Sequence, residues 1–151
     1  MLRRLARRVI ELNAGANEHK AAIKAIVGSL RPDLLVLPGV GPIGAATVLC
    51  AWSHPGRCRS EAAFAKLGGV APLEALSGQT VRHRLSRYGD RQLNRALHTV
   101  VLARSRCDEA TRAYIERRRA EGKSNREIKR CLKRYVARQL FRQLEGAPIP
   151  T

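Results

Sequence analysis

The sequence predicts an all-α protein, and three observations support this prediction. Aromatic residues make up only 4% of the 151 residues whereas 44% are hydrophobic, which favours packing of small aliphatic helices over a β-sandwich. Apolar residues recur at intervals of three and four, which is the period of a helix. Residues that commonly cap helices precede several of these periodic segments, and no β-rich run of useful length interrupts them.

The N-terminal segment predicts one long helix over residues 2–30, with an interruption near Gly15 as an alternative. Its apolar residues form a narrow stripe, which is typical of a helix that packs against a partner helix in a coiled coil. If exposed, this stripe would promote dimerisation. The stripe consists of Leu2, Leu5, Val9, Leu12, Ile23, Ile26, Val27 and Leu30.

Residues 34–52 read LLVLPGVGPIGAATVLCAW and carry no formal charge. The pattern of an apolar helix end, two glycines around one apolar residue, and a second helix is that of a helix-hairpin-helix. The second helix begins with free N–H groups and the positive end of the helix dipole, which suits a phosphate. Two alternatives remain for this segment. It could cross a membrane, although its prolines and glycines argue against one continuous apolar helix, or it could be a buried helix-turn-helix without a ligand.

Four further helices are predicted from their capping residues. They are expected to run from Ser60 to about Leu67, from Asp90 to about Arg106, from Asp108 to Gly122, and from Ser124 to about Leu144. Residues 70–89 read as an irregular segment, with a short β-hairpin within residues 78–88 as an alternative. On the last helix, the predicted inward face consists of Ile128, Cys131, Leu132, Tyr135, Val136, Leu140 and Leu144.

The net charge of +17 is concentrated in the second half of the chain. Residues 77–151 contain nineteen Lys or Arg and seven acids, a net charge of +12. This asymmetry indicates a polyanionic partner, and the planar guanidinium group of arginine suits phosphate and guanine. The alternative is a solvated basic surface. The same two alternatives, a polyanionic partner or a solvated surface, apply to an arginine stripe on the last helix. Like charges on one helix face repel unless phosphate or acids face them. The stripe consists of Arg126, Arg130, Arg134, Arg138 and Arg142.

The four cysteines and four histidines are scattered without metal-ligand spacing, so no metal site is predicted. The cysteines read as reduced side chains of a cytoplasmic protein, and the N-terminus lacks the apolar core of a signal peptide. These features predict a cytoplasmic, nucleoid-associated protein without membrane attachment.

The most unusual stretch reads SGQTVRHRLSRYGDRQLNRALH from Ser77 to His98. A loop serine followed by several arginines could attack phosphorus if it is activated and if cations hold the phosphate. Gly78 would allow close approach of the backbone. Residue types alone make this a weak indication, because Ser-Gly is also a common turn.

Together with LPGVGPIGAATVL, RSEAAFAKLGGVAP and DEATRAYIERRRAEGKSNREIKRCLKRYVARQLF, this stretch resembles the C-terminal half of insertion-sequence 110 family transposases, relatives of the Piv DNA invertase. The similarity covers roughly residues 30–145 and rests on four blocks in the same order. It implies a domain over residues 31–146, preceded by a coiled-coil-like connecting helix at 1–30 and followed by a tail at 147–151.

The resemblance implies a recombinase that moves DNA by means of a serine nucleophile, which falls on Ser77. Ser86 is a rival serine, also among basic residues but without an adjacent glycine. The family would also work as a homo-oligomer with a structured guide RNA. The implied nucleic-acid contacts fall on Gly39, Val40 and Gly41, and from charge and position we add Gly78, Arg82, Arg84, Arg87, Arg91 and Arg95.

The family binds Mg²⁺ through carboxylates of an N-terminal RuvC-like domain, which has no counterpart in these 151 residues. We therefore expect the chain to bind no cofactor itself and to be catalytically incompetent alone, since a serine hydroxyl is a poor nucleophile without a base or a metal-bound partner. Two other functions remain open: a non-catalytic helix-hairpin-helix module that binds nucleic acid, and a basic helical scaffold protein.

Overall fold

The computed structural model describes residues 1–77, 80–84 and 88–146, and in the strands between 73 and 84 it describes the backbone alone. Within these residues the fold consists of seven helices and one two-stranded hairpin, so the all-α prediction is confirmed with a small β addition. The elements are α1 (Leu2–Leu30), α2 (Pro32–Val36), α3 (Pro42–Trp52), α4 (Glu61–Leu67), β1 (Leu73–Ser77), β2 (Thr80–Arg84), α5 (Arg91–Cys107), α6 (Glu109–Ala120) and α7 (Asn125–Gly146).

Each predicted capping residue occupies the start of its helix. The Ser60 side chain accepts from the Ala63 N–H at 3.2 Å, and the Asp90 carboxylate accepts from the first turn of α5. Asp108 caps α6 in the same way. The Ser124 hydroxyl donates to the Glu127 carboxylate at 2.7 Å, and that carboxylate also accepts from the Ser124 N–H. These caps satisfy N–H groups that lack a partner one turn earlier in the helix.

The first helix is continuous through Gly15, so the alternative of an interruption is not realised. Most of it is solvent-exposed, including the apolar residues Leu5, Val9 and Leu12, each 55% exposed. Only near its C-terminal end does α1 enter the core, through the buried Val27. The C-terminal part of the stripe, at Ile23 and Val27, therefore packs on the core, whereas the N-terminal part from Leu2 to Leu12 has no partner within the described residues.

The core is formed around α5, which packs against both α3 and α7, while α4 packs against α7 and the end of α1 against α3. The inward face of α5 consists of Leu93, Ala96, Leu97, Val100 and Val101, all buried. On α7 the prediction is wrong for Tyr135, which is 55% exposed, whereas Ala137 and Phe141 are buried instead. The Phe141 ring packs 5.7 Å from that of Phe64 on α4, whereas the partly exposed Tyr135 ring meets the edge of Tyr114 on α6 at 5.8 Å.

Arg31 joins the N-terminal and C-terminal helices through a buried guanidinium, with the residue 3% exposed. It pairs with both oxygens of Asp33, at 2.9 and 2.7 Å. It also donates to the backbone carbonyls of Gln143 and Leu144, which lie at the end of α7 and lack partners within that helix. Trp52 lies beside the guanidinium, 6.0 Å from the ring centre. One side chain thereby connects α2, α3 and α7.

The segment expected to be irregular contains a regular antiparallel hairpin. Leu73 pairs with Arg84 and Ser77 with Thr80, so the hairpin begins five residues before the range considered for it. Gly78 and Gln79, between the strands, and residues 85–87 after them lie outside the described residues. The predicted tail at 147–151 also lies outside them.

The uncharged run at 34–52 is divided between α2, a loop and α3. No helix in the described ranges combines the length and the apolar character needed to cross a membrane.

Candidate nucleic-acid interface

The loop between α2 and α3 packs its first glycine against α5. Gly39 has a φ of +73°, which favours glycine, and a Cβ at this position would lie 3.0 Å from both the Val100 carbonyl oxygen and the Arg104 Cγ. Val40 is buried in the core. Of the three predicted contact residues in this loop, the structure thus uses Gly39 and Val40 to hold the hairpin in position.

Arg104 of α5 holds the same loop from outside. Its Nε donates to the Pro38 carbonyl at 2.8 Å, and one terminal nitrogen donates to the Gln139 side chain on α7 at 2.7 Å. Burial lowers the pKa of the Arg104 guanidinium, and Asp108 partly opposes this shift. Sequence reasoning missed Arg104, because only the tertiary fold brings α5 to the hairpin.

Gly41, the third predicted residue, lies at the exposed start of α3. It serves as the N-cap without a side-chain cap, and Pro42 follows at the first helical position. A Cβ at Gly41 or Gly44 would meet nothing within 4 Å. Within the described ranges no side chain caps the N–H groups of Ile43 and Gly44 in this first turn. The geometry therefore leaves open the helix N-terminus that the sequence motif predicts for a phosphate.

Ser77 is the last residue of β1 and pairs with Thr80 at the tip of the hairpin. In the same register Arg82 lies opposite Ala75 and Arg84 opposite Leu73. Since alternate positions of paired strands share a face, positions 77, 80, 82 and 84 belong to one face of the hairpin. The predicted nucleophile and two predicted phosphate contacts are therefore on one short ribbon, while Gly78 and Arg87 lie outside the described residues.

The segment that follows the hairpin, from residue 88 onward, is fixed to the helices. The Asp90 N–H donates to the Leu67 carbonyl at 2.7 Å, and the Asn94 side-chain amide donates to the Gly68 carbonyl, also at 2.7 Å. Gly89 has a φ of +126°, and a Cβ there would lie 2.7 Å from the Leu67 oxygen. Only glycine fits this close approach, so the chain that leaves the hairpin is held between α4 and α5.

A cleft of about 620 Å³ opens beside this segment. Three cationic residues, Arg57, Arg59 and Lys66, line it together with Tyr88, which is 85% exposed. Cations next to an aromatic ring are typical of surfaces that bind single-stranded nucleic acid. Sequence reasoning did not select these residues, since they are separated along the chain and form no motif.

A second group of cations lies between α5 and α7. Lys133, only 9% exposed, donates to the Asn94 side-chain oxygen at 3.1 Å. Burial lowers the pKa of the Lys133 ammonium, and Arg130 adds to the effect. Burial also lowers the pKa of His98, with further contributions from Lys133 and Lys129. The predicted contacts Arg91 and Arg95 are exposed residues on α5.

One acid forms ion pairs with part of the arginine stripe of α7. Glu61 of α4 pairs with Arg142 and lies 3.5 Å from the Nε of Arg138. The hydrogen bond from Arg142 lowers the pKa of the Glu61 carboxyl. The C-terminal part of the stripe is therefore a helix-helix contact, which leaves phosphate binding to cations elsewhere.

Five of the acids serve structural roles. Asp90, Asp108 and Glu127 cap helices, and Asp33 and Glu61 pair with arginines. Across the described part of the chain, no three His, Cys, Asp or Glu side chains cluster in a way that could hold a metal ion.

Comparison with known proteins gives two matches. Residues 32–116 match the family described as "Transposase IS116/IS110/IS902 family". The chain is also 31% identical over 135 residues to the "Insertion element IS110 uncharacterized 43.6 kDa protein" of Streptomyces coelicolor, a match that covers 85% of this chain. The chain spans about one third of that relative, 33% of its length. Since the family match covers more than half of the chain, from the α2–α3 hairpin through most of α6, the chain belongs to the IS116/IS110/IS902 family of transposases.

Proposed function

We propose that this chain is the DNA-binding, serine-bearing part of a transposase and that Ser77 is its nucleophile. The observation that carries this proposal is the position of Ser77 at the tip of a hairpin whose flanking segments, at Ala71 and Asp90, are hydrogen-bonded to α4. A hairpin tip can reach a bond in a bound strand, and anchored flanking segments limit the positions that the attacking atom can take.

In the proposed reaction, the Ser77 hydroxyl oxygen attacks a phosphorus atom of the DNA backbone. A serine–phosphorus ester bond forms and the bond from phosphorus to one sugar oxygen breaks, so one strand becomes linked to the protein. The hydroxyl proton passes to a base, and the departing sugar oxygen takes up a proton. Arg82 and Arg84 are the proposed cations for the charge that develops on the phosphate, together with Arg87.

The binding surface that supports this role has two further parts. The open N-terminus of α3 offers N–H groups at Ile43 and Gly44 to one phosphate. The cleft beside the segment that follows the hairpin offers cations and Tyr88 to a neighbouring stretch of strand. Exposed Arg91 and Arg95 extend the positive surface along α5.

Mg²⁺ does not fit the described residues of this chain, because no three of their His, Cys, Asp or Glu side chains form a ligand cluster. We propose that strand cleavage depends on a RuvC-like domain, as the family resemblance implies.

We also propose that the protein acts as a homo-oligomer that holds a guide RNA. The exposed apolar stripe of α1 supports self-association.

Replacement of Leu5 and Leu12 by glutamine should convert the oligomer to monomers, as measured by sedimentation velocity. The control Ala14→Gln, on the opposite side of α1, should leave the oligomer intact. If the double variant and the parent sediment alike, the stripe is not the interface.

The proposed phosphate contact at α3 can be tested with two variants of equal size. Asp and Asn are comparable N-caps, so Gly41→Asp and Gly41→Asn should both preserve the fold. The aspartate carboxylate should repel a phosphate at the α3 N-terminus and weaken duplex DNA binding about tenfold relative to Gly41→Asn. Fluorescence anisotropy measures both affinities. Equal affinities would exclude this helix end from the interface.

The same titrations test nucleic-acid binding as a whole. If about six phosphates are neutralised, the plot of log affinity against log salt should have a slope of about −5. An affinity that barely changes with salt would contradict the proposal.

The second candidate function is that of a non-catalytic nucleic-acid-binding module. The observation that favours it is the open N-terminus of α3. It predicts the same salt dependence but no covalent attachment to DNA.

A further inference from the structure

Four residues between α5 and α7 form what we call the Lys133 cluster: Asn94, His98, Lys129 and Lys133. Lys133 is 9% exposed, Asn94 and His98 are half-buried, and Lys129 is exposed. The cluster therefore reaches from the protein interior to the solvent.

Among the described residues, no acid balances the charges of this cluster. The Lys133 ammonium has three N–H donors, and its hydrogen-bond partner in the described ranges is the neutral Asn94 oxygen at 3.1 Å. The described charged groups that lower the pKa of Lys133 or of His98 are Arg130, Lys129 and Lys133 itself, all of them cations. Among the described residues, no carboxylate forms an ion pair with Lys133.

Such an arrangement is unfavourable in the free protein. Burial removes hydration from the Lys133 ammonium, and neighbouring cations add repulsion. Burial and the two lysines favour the neutral form of His98, which can still donate one hydrogen bond. An anion with several acceptor oxygens would satisfy the donors and offset the repulsion.

The cluster also touches the segment that leads to the proposed nucleophile. Asn94 accepts from Lys133 through its oxygen and donates through its nitrogen to the Gly68 carbonyl, at the end of α4. Leu67, the neighbouring residue, accepts from Asp90 after the hairpin. An anion bound by the cluster would thus lie near the end of α4, to which Asp90, in the segment after the hairpin, is hydrogen-bonded.

We infer that the Lys133 cluster binds a backbone phosphate of the nucleic acid and so holds the strand beside the end of α4, to which the segment after the β1–β2 hairpin is hydrogen-bonded. This inference rests on the proposed nucleic-acid function and adds Asn94, His98, Lys129 and Lys133 to its interface. A free phosphate ion has the same chemistry, and the experiment distinguishes the two.

The test is Lys133→Met, with Lys123→Met as the control that removes the same charge from an exposed loop. Because Lys133→Met removes a buried charge without an acidic partner, its unfolding free energy should equal or exceed that of the parent. Its affinity for a DNA duplex should nevertheless fall about tenfold, and the salt slope should shrink by about one. Lys123→Met should stay within about twofold of the parent. Equal losses in both variants would mean that only net charge matters, and would overturn the inference.

Lys129→Gln is a second variant, at an exposed position that cannot disrupt the core. A reduced salt slope in this variant supports the cluster even if Lys133→Met fails to fold, and an unchanged slope contradicts it. If the parent protein binds DNA with steep salt dependence and both variants have the same affinity and salt slope as the parent, the inference about the Lys133 cluster is wrong while the proposed function stands. If the parent shows no salt-dependent binding, the proposed function itself fails.

Inorganic phosphate separates the two sources of the anion. In thermal unfolding, phosphate that stabilises the parent but not Lys133→Met, combined with unchanged DNA affinity in that variant, would assign the cluster to free phosphate and overturn the inference. Loss of DNA affinity in Lys133→Met supports it.

Discussion

Replacement of Ser77 by alanine is expected to abolish the covalent protein–DNA adduct and to slow strand exchange by a factor of about 10³ or more, the scale on which removal of an enzymatic nucleophile acts. The physical reason is that the substitution removes one oxygen atom, the atom proposed to form the bond to phosphorus. The backbone pairing of Ser77 with Thr80 does not depend on the hydroxyl. The fold and the DNA affinity should therefore be retained.

The assay requires the chain together with a RuvC-like domain of the same family, because cleavage is proposed to depend on it. Protein bound to labelled DNA is resolved on a denaturing gel, which reports the covalent adduct separately from binding. Ser86→Ala is the matched control, since it removes the same atom from the rival serine and should leave the adduct unchanged. Adduct formation that persists in Ser77→Ala and disappears in Ser86→Ala would transfer the role to Ser86. A parent protein that binds DNA without any adduct would favour the non-catalytic module.

Replacement of Arg31 by alanine is expected to lower the free energy of unfolding by about 3 kcal/mol, in the range found when one partner of a buried ion pair is removed. The substitution removes the guanidinium that pairs with Asp33 and caps the Gln143 and Leu144 carbonyls. It also leaves space beside Trp52. Urea unfolding followed by circular dichroism measures the loss.

The pH dependence of this loss identifies its electrostatic part. The hydrogen bond from Arg31 lowers the pKa of Asp33 from its ordinary value of 3.8. A lowered carboxyl pKa stabilises the fold above that ordinary value, and the contribution disappears as pH falls through the lowered one. The difference in free energy of unfolding between the parent and Arg31→Ala should therefore narrow below about pH 4.

Arg8→Ala is the control, at an exposed ion pair in which Arg8 lies 3.6 Å from Glu11. It should change the free energy of unfolding by less than about 1 kcal/mol at every pH. A loss for Arg31→Ala that is independent of pH would mean that packing and capping, rather than the ion pair, determine it.

Local chemistry explains why the helix boundaries could be predicted. Ser60, Asp90, Asp108 and Ser124 cap their helices with hydrogen bonds that span two or three residues, so the information lies within the segment itself. The same is true of the turn at Gly39 to Gly41 and of the buried face of α5. The prediction that Tyr135 faces inward is wrong because several faces of α7 carry apolar residues. Tertiary contacts, such as that of Phe141 with Phe64, decide which of these faces is buried.

The β-hairpin was only partly anticipated. The strand over Thr80–Arg84 overlaps the range considered for a hairpin, but its partner at Leu73–Ser77 was read as irregular. A five-residue strand has too few residues for a clear alternating pattern, so pairing between strands decides whether it forms. That pairing makes Ser77 the last residue of a strand, whereas the serine and glycine alone indicated only a loop or turn.

The amino-acid sequence by itself determined the helical class, the caps, the α2–α3 hairpin and the family, because each depends on neighbouring residues or on their order along the chain. Only the tertiary structure decided which charged residues are structural and which remain for a ligand. Arg31, Arg104 and Arg142 have partners distant in sequence, at Leu144, Pro38 and Glu61. Lys133 is brought between two helices and has no acidic partner among the residues that the structure describes. The physical reason is that the energy of a charge depends on its burial and on its neighbours in space, and helix packing brings together residues that no local pattern connects.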